Sequence, residues 1–402
     1  MRARDPHEPH RAASSLELFF DLVFVVAVGV ASAQLHHALS ADHIVNGVLM
    51  FALVFFAIWW AWMNFTWFAT SFDVDDWLYR VLTFVQMGGV LVMAAGIAPV
   101  FEHHDFRVLV WSYVVMRIAM VAQWLRAAAS EQTLRTTTLT YAAGIAIVQV
   151  LWVLSLALPA ETMPVAVPVL VIAELAVPIV AERRRATPWH PHHITERYGL
   201  FTLIVLGESL LASANAIIEA LQDSQARADA GGEAAGHGSA DAVVAAASHS
   251  DTLLTLIGLA ALTLIATAAL WWVYFWPPHH GLIGTLAQSI RYGYVHYFVF
   301  ASAAAFSAGI EVHIDALSGE ATLPALAVGY SVSIPVAVFI LGIWWIALRR
   351  FGDRIVNTVV PLSAVVILLD PLLPFDVAVT AIVLVIVVAV LVWRPPLPRK
   401  SS

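Results

Sequence analysis

Read for apolar runs broken by polar residues, the chain resolves into twelve stretches of about 20 residues, the length a helix needs to cross a bilayer. The first six fall at 16–35, 44–70, 78–99, 107–128, 137–158 and 164–182. The second six fall at 196–220, 252–275, 287–310, 323–347, 354–373 and 375–393. The runs are continuous where a membrane β-barrel would alternate apolar and polar positions, so the predicted fold is all-α and polytopic. Only Asp370-Pro371-Leu372-Leu373-Pro374 separates the last two spans, a Pro-bounded turn that suffices to join antiparallel helices. Residues 221–250 are rich in Ala, Gly, Asp and Ser, lack apolar periodicity, and read as a disordered outer loop.

Composition moves the picture in the same direction. Of 402 residues, 60% are hydrophobic and 12% charged, roughly half the charged share of a soluble domain. The net charge of −8 hides a sorted distribution. With the N-terminus placed inside, 17 of the 20 Lys and Arg residues fall on the inner side, with Arg107 and Arg227 outside and Arg117 within a span. Both termini are therefore expected in the cytoplasm. The first apolar run has no small-residue cleavage site and reads as a retained span. Without cysteine, the chain has no disulfide, thiolate metal site or cysteine nucleophile.

The second six spans overlay the first six. Glu17 aligns with Glu196 and Phe19 with Tyr198. Trp59-Trp60-Ala61-Trp62 matches Trp271-Trp272-Val273-Tyr274, and Ala94-Ala95-Gly96-Ile97 matches Ser307-Ala308-Gly309-Ile310. An even number of spans per half gives two six-helix repeats of the same orientation. The expected organisation is a tail at 1–15, a first repeat at 16–185, a linker at 186–195, a second repeat at 196–394 and a tail at 395–402. The tryptophans Trp59, Trp60, Trp62, Trp67, Trp271, Trp272 and Trp276 read as interfacial anchors ahead of a substrate cage.

Two blocks stand out. Glu17-Leu18-Phe19-Phe20-Asp21-Leu22-Val23-Phe24 opens the first span. The seventh opens on Glu196-Arg197-Tyr198-Gly199-Leu200-Phe201-Thr202-Leu203-Ile204-Val205-Leu206-Gly207-Glu208. Together they resemble the signatures of the bacterial low temperature requirement A family, with Leu203 where Ile is usual. The resemblance covers nearly the whole chain and implies a multi-pass protein of the bacterial cytoplasmic (inner) membrane. The family is named for a growth phenotype in the cold; it carries over no substrate, cofactor or catalytic residue.

The remaining chemistry lies in charges that lipid disfavours. Glu17 and Asp21, spaced i, i+4, share one helix face near a helix start, where the dipole favours negative charge. Arg117, Glu174 and Glu208 fall near the midplane at 1.5 Å rise per residue, so Arg117 is expected to pair with Glu174, Glu208 or both. That pairing reads equally as functional or as a structural brace. Glu208, Ala212, Asn215 and Glu219 draw one stripe of small and polar residues along the seventh span. His36, His37, His43, His103, His104 and His313, with Asp42, Glu102, Asp105, Glu311 and Asp315, read as polar outer loops, since no metal-motif spacing joins them. The inner cluster His190-Pro191-His192-His193 with Arg183-Arg184-Arg185 reads as a contact with anionic lipid.

These features place secondary transport first, as proton-coupled movement of a small solute or ion, with Asp21, Arg117, Glu174 and Glu208 as the candidate functional charges. Glu208 or Glu174 would exchange protons, and Arg117 would hold an anionic group or tune the carboxylate. There is no phosphate-binding G-x-x-x-x-G-K-[ST] run to supply ATP-driven transport. An enzyme acting on a lipid-like substrate stays open, although no nucleophile–base set appears and Asp73-Val74-Asp75-Asp76 only echoes a metal-binding box. A non-catalytic membrane or sensory protein also stays open. The expected partner is the bilayer and not nucleic acid. The residues leave the cofactor, the solute and the oligomeric state open.

Overall fold

The computed structural model describes residues 1–5, 12–183, 185–233, 240–373 and 376–397, with backbone alone at 73, 219–220, 223–233, 240–252 and 376. In chain order the helices are α1 (Ser15–Ser40), α2 (Ile44–Ser71), α3 (Trp77–His103), α4 (Arg107–Ser130), α5 (Arg135–Ser155) and α6 (Met163–Glu182). They continue as α7 (Pro191–Glu233), α8 (Ala240–Phe275), α9 (Leu286–Ser318), α10 (Ala325–Phe351), α11 (Arg354–Leu369) and α12 (Asp376–Trp393). Among the described residues, 11 helices are long and apolar enough to cross a membrane. The chain is an all-α polytopic membrane protein. The last helix, α12, has 18 residues, a length of about 27 Å that falls just short of a hydrocarbon core.

The helix starts follow from local chemistry. Ser14 and Glu17 form a reciprocal box at the start of α1. The Ser14 amide donates to Glu17 Oε2 at 2.7 Å and the Glu17 amide to Ser14 Oγ at 3.3 Å. Asp76 caps α3 by accepting from the Tyr79 amide at 2.8 Å, and Arg126 of α4 donates to its other oxygen at 2.5 Å. Asp75 is held by Arg80 at 2.7 Å, so two carboxylates of the Asp73–Asp76 echo are taken up by local pairing. Burial opposes ionisation of Asp76, but the Tyr79 amide and the Arg126 guanidinium outweigh it and hold the carboxyl below its ordinary range. Its contribution is therefore complete above that range and fades as the pH falls through the lowered value. Asp76→Ala is expected to cost about 1 kcal/mol at neutral pH and progressively less in acid, read from thermal melts across that pH range.

Three differences from the sequence expectation concern helix ends. α1 runs to Ser40 and α9 to Ser318, beyond the predicted ends at 35 and 310. The stretch expected to be disordered is helical up to Glu233 and again from Ala240, in keeping with the helix propensity of its alanines. Residues 234–239 lie outside the described residues, as does His237. A two-stranded ladder also forms outside the spans, β1 (Arg2–Ala3) against β2 (Phe72–Asp73).

The chain divides into two compact units. The first comprises Met1–Gln34, Val48–Phe201 and His279–Gly293; the second comprises Leu35–Gly47, Thr202–Pro278 and Tyr294–Ser402. The division falls inside α7, and the stretches 35–47 and 279–293 belong with the opposite half of the sequence. In the first unit α3, α4, α5 and α6 pack in succession; in the second, α10 packs on α11, α11 on α12, and α12 on α8. Close crossings use glycine. A Cβ at Gly96 would lie 2.9 Å from Val108 Cβ at the start of α4. One at Gly309 of α9 would run into the Ser331 carbonyl of α10.

Candidate functional site

In the first unit the two signature blocks meet. Glu17 and Asp21 sit one turn apart on α1, and His193 and Arg197 sit one turn apart on α7. The two faces form a ladder. Arg197 grips Asp21 through Nε at 3.0 Å and through a terminal nitrogen at 2.5 Å, and both side chains are 0% exposed. The second rung is His193 Nε2 to Glu17 Oε1 at 3.1 Å, with Arg197 reaching the same oxygen at 3.4 Å. Trp62 of α2 completes the shell, its indole N–H donating to Asp21 Oδ1 at 2.6 Å. The forked guanidinium and the indole donor satisfy Asp21, whereas the Glu17 Oε1 rung is held by charge at 3.1 and 3.4 Å. The sequence reading counted Arg197 among inner-side cations that set topology, yet the structure seals it inside the span.

A second buried pair lies deeper in the same unit. Arg117 of α4 meets Glu174 of α6 at 3.2 Å, with the side chains 3% and 2% exposed. Arg117 also donates to the Tyr113 hydroxyl at 2.6 Å, and Trp60 of α2 donates to Glu174 Oε2 at 2.7 Å. Trp60 and Trp62 are two residues apart, hence about 200° around α2, and so serve opposite clusters. This corrects the reading of these two tryptophans as interfacial anchors. A buried indole N–H needs an acceptor, and each finds a carboxylate. Trp271 and Trp272 of α8, each 41% exposed, keep the surface placement expected of anchors.

The second unit holds a different kind of cluster. His36, near the end of α1, faces Glu311 through Nδ1 at 2.9 Å and Asp315 through Nε2 at 2.6 Å, both on α9 one turn apart. The Ser40 hydroxyl donates to the same Asp315 oxygen at 2.7 Å. Glu208 of α7 is half-buried and close enough to Glu311 for the two charges to interact. Unlike the sealed pairs, this group is partly accessible, at 12% for His36, 25% for Glu311 and 21% for Asp315.

The model for "Bacterial low temperature requirement A protein (LtrA)" matches residues 12–393, nearly the whole chain. The chain belongs to the LtrA family. A protein of Rhizobium meliloti (strain 1021), described as uncharacterized, is 29% identical over 208 residues. That match covers 50% of this chain and 50% of the relative, so the chain spans half the length of the relative it matches.

The LtrA signature residues occupy contrasting places. Phe20 is buried and stacks on Phe65 with ring centres 3.9 Å apart, whereas Phe19 is half-exposed. Glu196 is exposed, while its aligned counterpart Glu17 is buried in the ladder. Tyr198 is fully buried, its hydroxyl accepting from Trp67 at 3.3 Å. Gly199 is buried, and Gly207 faces open space. Along the proposed stripe Ala212 is buried and Asn215 exposed; the Glu219 side chain lies outside the described residues. Arg117 meets Glu174 within the first unit, while Glu208 belongs to the second. Among the described residues no group of three or more His, Asp or Glu is arranged to hold a metal ion. His36 illustrates why: its two ring nitrogens each face a carboxylate, leaving no shared centre.

Proposed function

We propose that this LtrA-family chain is a proton-coupled secondary transporter of a small solute, with His36, Glu311, Asp315 and Glu208 as its protonatable site. One observation carries the reading: both ring nitrogens of His36 lie within hydrogen-bonding distance of carboxylates. A neutral imidazole has one donor and one acceptor nitrogen, so it cannot donate to two carboxylates. Either the ring is an imidazolium or one of the two acids is protonated. In each case the trio holds one proton more than a neutral histidine between two ionised acids. Losing that proton turns a lone pair toward a carboxylate and releases one contact between α1 and α9. A proton bound this way is coupled to the packing of two helices, which is what alternating access needs.

The sealed pairs support the same reading from the other side. Arg197 is fixed to Asp21 by fork geometry, Arg117 to Glu174 by a single contact at 3.2 Å, and each carboxylate takes an indole donor, so both pairs act as braces. The same-orientation repeat expected from the sequence is part of the same proposal. Gly96 and Gly309 align in sequence, and each marks the crossing of the third and fourth helices of its own half.

The test is proton flux in liposomes holding the purified chain, with a pH dye inside and a broad panel of solutes outside. The wild type should show solute-dependent proton movement, and His36→Gln and Glu208→Gln should lower it by roughly 100-fold, the low end of what a positioned proton donor contributes. Both variants should melt as the wild type does. The family's name also supplies a cellular readout, since the variants should fail to support growth in the cold. Transport by Glu208→Gln and His36→Gln at the wild-type rate would sink the assignment.

A further inference from the structure

The turn between α10 and α11 is built more firmly than a connecting loop requires. Near its end α10 carries a π-helical turn at Trp344–Leu348, a local underwinding often found at functional positions. The Trp344 indole N–H donates to Asn357 Oδ1 at 3.0 Å, and Asn357 Nδ2 donates to the Gly352 carbonyl at 2.8 Å. Gly352 has no room for a side chain, since a Cβ would lie 2.7 Å from Val356 Cγ1 and 2.9 Å from the Leu348 carbonyl oxygen. Asp353 caps α11 by accepting from the Val356 amide at 3.0 Å. The segment after α12 is tied to this turn, with the Leu397 amide donating to the Phe351 carbonyl at 2.7 Å and Arg394 lying 3.6 Å from Asp353.

The turn and the segment after α12 carry four arginines, Arg349, Arg350, Arg354 and Arg394, and one carboxylate, Asp353, which lies 3.6 Å from Arg394. Two of the guanidiniums lie over indole faces: Arg349 is 3.7 Å from the ring centre of Trp345 and Arg394 is 3.8 Å from that of Trp393. Those indoles are 47% and 66% exposed, at the ends of the apolar helices α10 and α12. At a span end an indole suits the boundary between acyl chain and headgroups, and a guanidinium stacked on it brings N–H donors to the same level.

We infer that the turn 349–354 with the segment 393–397 is a binding site for the phosphate of an anionic phospholipid. The arginine edges supply fork-like donors for phosphate oxygens. The exposed Trp345 and Trp393 faces supply the apolar contact that a free phosphate would not use, which selects a lipid as the source. The inference stands apart from the transport reading and involves none of its residues.

The test uses the full chain in nanodiscs of phosphatidylcholine, with and without phosphatidylglycerol, read by native mass spectrometry and thermal melting. The wild type should retain phosphatidylglycerol through delipidation and melt several degrees higher when it is present. The double variant Arg349→Gln, Arg394→Gln should lose both effects while keeping the wild-type melting point in phosphatidylcholine alone. If that double variant does not fold, Arg350→Gln is the substitute and should weaken retention by itself. Arg183→Gln with Arg185→Gln, removing charge from a different loop, should retain the lipid. Three results would overturn the inference: equal loss in the Arg183 and Arg185 control, equal retention of both lipids by the wild type, or the same stabilisation by inorganic phosphate.

Discussion

Arg197→Gln should remove about 3–5 kcal/mol from the folded state, because it leaves the carboxylates of Asp21 and Glu17 buried without their cation. Native stability in total is about 5–15 kcal/mol, so the variant should be scarce in the membrane and aggregate on extraction. Arg197→Lys should recover only part of the loss. A point-like ammonium cannot reproduce the two contacts to Asp21 at 3.0 and 2.5 Å. The measurement is fluorescence-monitored gel filtration after a heating series, which reports the folded fraction without needing a known solute. Pairing Arg197→Gln with Asp21→Asn should be milder than the sum of the single changes, as expected for two groups in direct contact. If Arg197→Gln melts with the wild type, the ladder is not a brace and the roles assigned to the two units must be exchanged.

Much of the architecture was legible in the sequence because lipid imposes a simple rule, that a spanning helix needs a long window with few charges. The windows located α1 to α12, with the last one short. What the windows missed lies at their edges. Hydropathy falls where His36, Glu311 and Asp315 begin, so the pattern ends the spans at 35 and 310 and leaves these residues in loops. The helices continue to Ser40 and Ser318 because backbone hydrogen bonding does not stop where side chains become polar. The partly accessible cluster of His36, Glu311 and Asp315 was thus hidden by the criterion that found the spans. Arg197 was obscured by the same edge effect, since a cation beside a span boundary resembles a topology signal until its partner, 176 positions away, is seen. Depth counted along the helices did set Arg117 and Glu174 at one level, and they lie 3.2 Å apart. Nothing in the sequence told that Trp60 and Trp62 point inward, because an indole at a span end serves lipid or a buried acceptor equally well.

The second large effect is expected at that deeper pair. Glu174→Gln should cost about 3–5 kcal/mol by stranding the Arg117 guanidinium in a site that is nearly free of water. Trp60→Phe, which removes a single donor to Glu174, should cost about 1–3 kcal/mol. The order of these two losses tests whether charge compensation or the indole hydrogen bond holds the cluster. A third variant separates bracing from function. Replacing both partners with apolar residues of similar length, Arg117→Met with Glu174→Leu, should recover most of the loss, since a desolvated ion pair is often matched by hydrophobic packing, with the stranded Trp60 indole N–H keeping it somewhat short of the wild type. If the pair is only a brace, the restored protein should also move protons at the wild-type rate in the liposome assay. A stable but inactive double variant would instead assign Arg117 and Glu174 a part in transport. The site would then extend beyond His36, Glu311, Asp315 and Glu208 to include the buried charges of the first unit.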